Sequence, residues 1–183
     1  FSMNKLNRYI SILSLLVLFI ACESTTKLSD EDPMGREIID YTELVAVSTD
    51  MNAARMAKDY EKFADFLTDD ASFTYPSGKI DQGKDAIIKS NKIIDETIST
   101  LPMPSDSVIY LAIKGKDPIQ GDYKILMAWD VNTIKAGNDE VDIMQHNVTW
   151  FTAENKIERR VSFYDRSQIQ KFYQTDPLVS DME

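Results

Sequence analysis

The apolar residues of this chain change their spacing part-way along, and that change decides what it can fold into. Before Pro102 they recur at helical intervals. Ile38, Tyr41, Leu44, Val45, Met51, Ala54 and Met56 follow Arg36, then come Tyr60, Phe63, Ala64 and Leu67, then Ala86, Ile87, Ile93, Ile94 and Ile98 after Gly83-Lys84. Asp32-Pro33 offers a cap and a first-turn proline for the first helix, Thr68-Asp69-Asp70 ends the second, and Pro102 and Pro104 end the third. Between the last two helices, Ala71 to Tyr75 is a brief strand stopped by Pro76-Ser77-Gly78. After Pro104 the period becomes two. Ser107–Lys114, Asp122–Ile134, Val141–Thr152 and Ile157–Tyr164 alternate as strands do. Asp117-Pro118, Gly121, Ala136-Gly137-Asn138-Asp139 and Glu154-Asn155 supply the turns. Such short connections predict an antiparallel meander, hence an α+β domain with its helices collected at the N-terminal end.

The first residues have a different logic. Lys5 and Arg8 precede an almost unbroken apolar run from Tyr9 to Ala21, closed by Cys22 and the polar stretch Glu23-Ser24-Thr25-Thr26. About a dozen apolar residues fall short of the roughly 20 needed to span a bilayer, but they suit the core of an export signal. A cysteine directly after a small residue resembles the lipidation site of bacterial lipoproteins, although Phe19 stands where leucine is usual. The expectation is therefore a signal peptide over 1–22, acylation at Cys22 and a polar tether over 23–35. A globular domain over 36–175 and a tail over 176–183 follow. Anchoring would hold the protein on the bacterial outer membrane, on its periplasmic or surface face. The run Ser29-Asp30-Glu31-Asp32 reads as a solvated tether, and it also resembles the acidic segments that send some Bacteroidetes lipoproteins to the surface. Cys22 is the only cysteine, so the domain can hold no internal disulfide and must be stabilised by packing.

A formal charge of −10 argues against nucleic acid as a partner, since such binders need a basic face to release counterions from phosphate. Lys156, Arg159 and Arg160 are the densest basic group and belong to a strand. One histidine and no cysteine beyond Cys22 leave too few ligands for a zinc site, and neither metal nor cofactor is expected. No glycine-rich phosphate loop, G-x-S-x-G or H-E-x-x-H motif occurs. Asn147-Val148-Thr149 fits a glycosylation sequon by coincidence, and Asp106-Ser107-Val108 resembles a short O-glycosylation motif of exported Bacteroidetes proteins.

Lys58-Asp59-Tyr60-Glu61-Lys62-Phe63 through Leu67-Thr68-Asp69-Asp70-Ala71-Ser72-Phe73 resembles the second helix and first strand of the nuclear transport factor 2-like superfamily, which includes SnoaL-like proteins and ketosteroid isomerases. Gly83-Lys84-Asp85-Ala86-Ile87 is similar to its next helix start. His146-Asn147-Val148-Thr149-Trp150-Phe151 with Asn155-Lys156-Ile157 is similar to its last hairpin. The resemblance covers residues 36–173 and implies a curved antiparallel sheet wrapped around helices as a cone with a cavity. It also implies a homodimer through the sheet's outer face. It does not fix a function, because this fold carries isomerases, cyclases, hydrolases and proteins without chemistry. Laid on the ketosteroid isomerase pattern, the two oxyanion donors and the aspartate base fall on Met51, Met144 and Tyr75, and none keeps that chemistry.

His146 is then the acid–base candidate, since imidazole is the side-chain type that ordinarily serves as a general acid–base near neutral pH. Alternation puts Met144, His146, Val148 and Trp150 on one strand face. The resemblance turns that face into the cone, with Met127 and Trp129 beside it and Arg160, Ser162 and Tyr164 on the final strand. Tyr75, Trp129, Trp150, Arg160 and Tyr164 would line a mostly aromatic pocket for a small molecule. Asp130 would point away from it and is a secondary acid–base candidate. The alternatives stand beside these: His146 as a hydrogen-bonded wall residue, Trp129 and Trp150 as core or dimer contacts, Arg160 as a partner of Asp130 or Asp165. Three readings remain open, namely a small-molecule binder, a SnoaL-type lyase, isomerase or hydrolase, and a structural envelope protein.

Overall fold

The computed structural model describes residues 35–97, 99–101, 107–117, 121–136 and 139–170. The expected signal peptide, Cys22, the tether up to residue 34, the Asp32-Pro33 helix start and the tail over 176–183 lie outside the described residues. No helix among the described residues is long and apolar enough to cross a membrane.

The chain enters as a strand, β1 (Glu37–Ile39), where helical spacing predicted a helix from Arg36. Its residues pair with the edge of a later strand, Ile38 opposite Ile113 and Ile39 opposite Ala112, and this pairing overrides the local period. Asp40 then stops the strand, its carboxylate accepting from the Thr42 backbone N–H at 2.7 Å and from Thr42 Oγ1 at 2.6 Å. Helix α1 (Thr42–Met56) follows, with Glu43 in its first turn and Arg55 in its last, each favourable to the helix dipole. It buries Leu44, Met51 and Ala54. Asp59 caps α2 (Tyr60–Asp65) by accepting from the Lys62 N–H at 3.1 Å.

Strand β2 (Leu67–Thr74) starts four residues earlier than the sequence suggested, taking in Thr68-Asp69-Asp70. It hairpins through Pro76-Ser77-Gly78, with Gly78 at φ +86°, into β3 (Ile80–Gln82). Helix α3 (Lys84–Thr97) and a short β4 (Ser99–Leu101) come next. Four strands complete the sheet: β5 (Ile109–Asp117), β6 (Gly121–Ala136), β7 (Asp139–Phe151) and β8 (Ile157–Tyr164). A last turn, α4 (Ser167–Gln170), ends the described chain.

The sheet runs β1-β5-β6-β7-β8-β2-β3, with β4 added against the far end of β6. The meander β5 to β8 is antiparallel as expected, but β2 lies parallel to β8, so the sheet is mixed. The cause is local. The Ile157 N–H donates to the Phe66 carbonyl at 2.8 Å, fixing the end of α2 at the start of β8 and sending both strands off in one direction. Strand β6 outruns β5, and β7 outruns β8, so together they form an arm beyond the sheet's body.

Two apolar clusters occupy the helix-covered inner face. The larger joins Leu44, Met51 and Phe63 of the helices to Leu67, Ala71, Phe73, Leu126, Phe151 and Ile157. The smaller sits on the arm, with Ile134 and Ile143 packed by Ile94, Val141 and Tyr164. Helix α3 contributes to both, through Ile87 to the first and Ile94 to the second.

Candidate functional site

Residues opposite one another on neighbouring strands share a face, so the register sorts every side chain. One inner row crosses the sheet from Ala112 through Leu126, Thr149, Arg160 and Phe73 to Asp81. The next holds Tyr110, Ala128, Asn147 and Ser162, and the third Asp130, Gln145 and Tyr164. These rows form a polar belt between the two apolar clusters. Asn147 and Thr149 are buried, and Ser162 Oγ donates to Asn147 Oδ1 at 2.7 Å. Tyr75, Ala128, Asp130, Gln145, Arg160 and Ser162, by contrast, are only half-buried although they face the helices. Ala128 stands in the middle of the sheet among these half-buried polar side chains.

Three polar side chains of the belt carry buried atoms without a protein partner: Tyr75 Oη, Asp130 Oδ1 and Arg160 Nε. Asp81 Oδ2 is a fourth, with Lys79 Nζ 3.7 Å from the other carboxylate oxygen. Buried polar atoms are nearly always paired, and each lost pairing costs about 1–3 kcal/mol. Their electrostatics agree with that confinement. Burial pushes the Tyr75 phenol far above its ordinary value, and the neighbouring Asp81 carboxylate adds to the effect while Arg160 and Arg55 oppose it. Burial also raises the Asp130 carboxyl, against a hydrogen bond from Gln145 and the pull of Arg160. Burial weakens the hold of Arg160 on its proton, with Asp130 acting the other way. At the edge of the belt Arg55 is committed, reaching Asp95 Oδ1 through Nε at 3.0 Å and Nη2 at 2.8 Å, while Tyr60 Oη donates to Asp95 Oδ2 at 3.2 Å.

The sequence-predicted pocket is thereby divided between two faces. Tyr75, Arg160 and Tyr164 do face inward, and Asp130 joins them instead of pointing away. Trp129, His146 and Trp150 face outward. His146 pairs with Phe163 while Asn147 pairs with Ser162, so the face of β8 holding Arg160 and Ser162 continues into Asn147 and Thr149. The physical reason is an irregularity at the β7–β8 turn, where Trp150 opposes Arg159 but Phe151 opposes Ile157. The extra residue, Glu158, shifts the faces by one. On the outer side the His146 ring lies between Trp129 (centroids 4.5 Å apart, rings 5° from parallel) and Phe163 (5.8 Å). Arg159 covers Trp150 at 4.6 Å. The His146 acid–base reading therefore has no place in the inner recess. The residues that sequence reasoning missed are Asp81, Ala128, Gln145 and Asn147.

That outer face is apolar to a degree unusual for water-facing sheet. Met144 is 76% exposed, Ile109 68%, Phe163 53% and Trp129 37%. Met127, Val148 and Val161 fill the next row.

A mixed sheet curled over N-terminal helices has counterparts of the same fold among solved structures. The chain is similar to a nuclear transport factor 2-like protein from Burkholderia xenovorans, with TM-score 0.53 and 14% identity over 72% of this chain and 95% of that one. It is as similar to a SnoaL-like polyketide cyclase from Shewanella denitrificans, with TM-score 0.54 and 12% identity over 73% and 98%. A nuclear transport factor 2-like protein from Burkholderia pseudomallei gives TM-score 0.51 and 12% identity over 72% and 98%. The fold is nuclear transport factor 2-like. No protein-family model matches the sequence, and no curated protein matches it. At these identities the nuclear transport factor 2-like relationship is one of backbone architecture, so chemistry has to be argued from the recess itself.

Proposed function

We propose that this protein is a lipid-tethered cell-envelope protein whose domain binds a small, partly apolar molecule in the recess of its inner face. One observation carries the reading. Tyr75, Asp130 and Arg160 hold polar atoms without hydrogen-bond partners between two apolar clusters, beside the half-buried Ala128. An apolar enclosure with a few convergent polar groups is the usual form of a small-molecule site. Native mass spectrometry of the chain purified gently from its own host tests it. A co-purifying molecule that disappears in Ala128→Trp supports the reading, provided the variant melts like the parent. An adduct unaffected by filling the recess would refute it. The tether is tested separately: Cys22→Ser should abolish incorporation of labelled palmitate and release the protein from the membrane fraction.

The outer face supports a homodimer. A contiguous apolar sheet face is a mark of association, and a second copy offers the same surface in a two-fold arrangement. A further reading, acid–base catalysis of a lyase, isomerase or hydrolase type, is favoured by one feature. Asp130 is a carboxyl whose acidity is weakened by burial beside Arg160, the direction in which proton-transferring carboxyls are tuned. If that reading holds, Asp130→Asn should abolish turnover while leaving ligand binding in place.

A further inference from the structure

The charges of the belt do not cancel evenly. Arg55 is held by Asp95 at 2.8 Å, and Lys79 has Asp81 at 3.7 Å and donates to Ser90 Oγ at 3.0 Å. Arg160 alone among these cations makes neither an ion pair nor a side-chain hydrogen bond among the described residues. It is half-buried, with Nε cut off from water and without a hydrogen-bond partner. A guanidinium cannot shed its charge at physiological pH, and a buried charge without a partner is costly. Asp130 attracts it electrostatically, without an ion pair or hydrogen bond between the two among the described residues.

We propose that the recess takes a monoanionic carboxylate with an apolar body, its carboxylate on the Arg160 guanidinium and the Tyr75 hydroxyl. This rests on the small-molecule reading above and names the ligand's chemistry. Arg160 presents the planar fork that matches a carboxylate, and the Tyr75 hydroxyl, which lies beside Asp81, is electrostatically coupled to it. The single Arg160 charge matches one negative charge, whereas the second charge of a phosphate would face the carboxylates of Asp81 and Asp130. The body is set by what flanks the belt. Phe73 and Leu126 lie on one side, and Ile134, Ile143 and Ile94 on the other, so a ligand leaving Arg160 in either direction meets apolar surface.

The test is isothermal titration of the full chain with decanoate, decanol, decylamine and inorganic phosphate, repeated on Arg160→Met. Tryptophan emission is the wrong readout, because Trp129 and Trp150 sit on the opposite face. Decanoate should bind at least tenfold more tightly than decanol, decylamine and phosphate should not bind measurably, and Arg160→Met should erase the preference for decanoate while retaining decanol. Thermal melting of Arg160→Met at or above the parental temperature confirms that it folds. Should it unfold, Arg160→Gln, which keeps the polarity without the charge, serves in its place and should give the same loss. Equal binding of decanoate and decanol would overturn the carboxylate assignment and leave the recess reading intact. Binding of neither would overturn both. Decanoate binding indifferent to Arg160 would overturn the assignment alone.

Discussion

Replacing Phe163 with alanine strips one ring from the outer face, and the expected consequence can be worked out from exposure alone. Burying a whole phenylalanine side chain contributes roughly 1.5–3 kcal/mol. Phe163 is 53% exposed in the single chain, so about half of that, roughly 1 kcal/mol, remains to be gained when another surface covers it. In a two-fold dimer the residue is present twice, which makes about 2 kcal/mol, or about thirtyfold in the dimer Kd. Stability of the isolated domain should fall by a comparable ~1 kcal/mol, because the other half of the ring is already covered in the single chain, with His146 as its aromatic neighbour at 5.8 Å among the described residues. Sedimentation equilibrium across a wide concentration range measures the first quantity, and thermal melting at a concentration below the Kd measures the second. A dimer Kd unmoved by Phe163→Ala, and equally unmoved by Met144→Ala, would refute the assignment of this face to a second copy.

Three further outcomes follow from the inner face and its supports. Asp130 has its folded-state acidity weakened by burial, so the folded chain holds that proton longer than the unfolded one, and stability falls as pH rises. The penalty begins near the ordinary carboxylate value of about 4 and is complete above the raised folded value. Asp130→Asn should therefore gain stability over the parent through that window and keep the gain at neutral pH, in denaturant titrations run at a series of pH values; a difference independent of pH would contradict it. Asp95→Ala leaves Arg55 in a mostly buried setting without its carboxylate and should cost about 2–4 kcal/mol by urea unfolding, with a loss below about 1 kcal/mol counting against a structural role. Gly83 opens α3 at φ +83°, its N–H donating to the Ala71 carbonyl at 2.7 Å. Gly83→Ala should cost about 1–2 kcal/mol through the left-handed backbone, whereas Gly83→Asn should cost less.

The order of elements was legible because each carries a period long enough to count. The four long strands from Ile109 to Tyr164 and the helix after Gly83 differ from expectation only near their ends. Short elements were hidden. Ile38 and Ile39 obey helical spacing, yet three residues of sheet pairing with Ala112 and Ile113 decide their conformation, a tertiary effect that local propensity cannot contain. The parallel placing of β2 was likewise unreadable, since it depends on pairing with β8, from Leu67 opposite Ile157 to Thr74 opposite Val161, residues far apart in sequence. The faces of β6 and β7 failed for a different reason. Both faces of these strands are rich in apolar residues, so alternation defines two sets without saying which is inside. The signal that could have decided it is the phase of the arm, where buried Ile143 falls in step with Asn147, Thr149 and Phe151, and exposed Met144 in step with His146 and Trp150.

That ambiguity has a physical meaning of its own. A sheet with one wet face normally keeps its apolar residues inside and its polar residues out. Here the middle of the sheet does the reverse: Asp130, Gln145, Asn147, Thr149 and Arg160 face the helices, while Trp129, Val148, Val161 and Phe163 face away. Each inversion is unfavourable for an isolated domain. The inner one leaves Arg160 Nε, Asp130 Oδ1 and Tyr75 Oη unpaired, and the outer one exposes rings to water. Local rules broken together in one region point to function more than to folding. The two breaches also share their strands, since Trp129 and Asp130 are neighbours on β6 and Arg160 and Val161 are neighbours on β8. Covering the outer face would therefore fix the twist of the same strands that aim Asp130 and Arg160 into the recess. Binding inside and association outside should then be coupled. A carboxylate ligand should tighten the dimer, and Phe163→Ala should weaken the ligand although it lies on the opposite side of the sheet. Titrating decanoate into Phe163→Ala at concentrations where the parent is dimeric and the variant monomeric reads that coupling directly, and identical affinities would show that the two faces act independently.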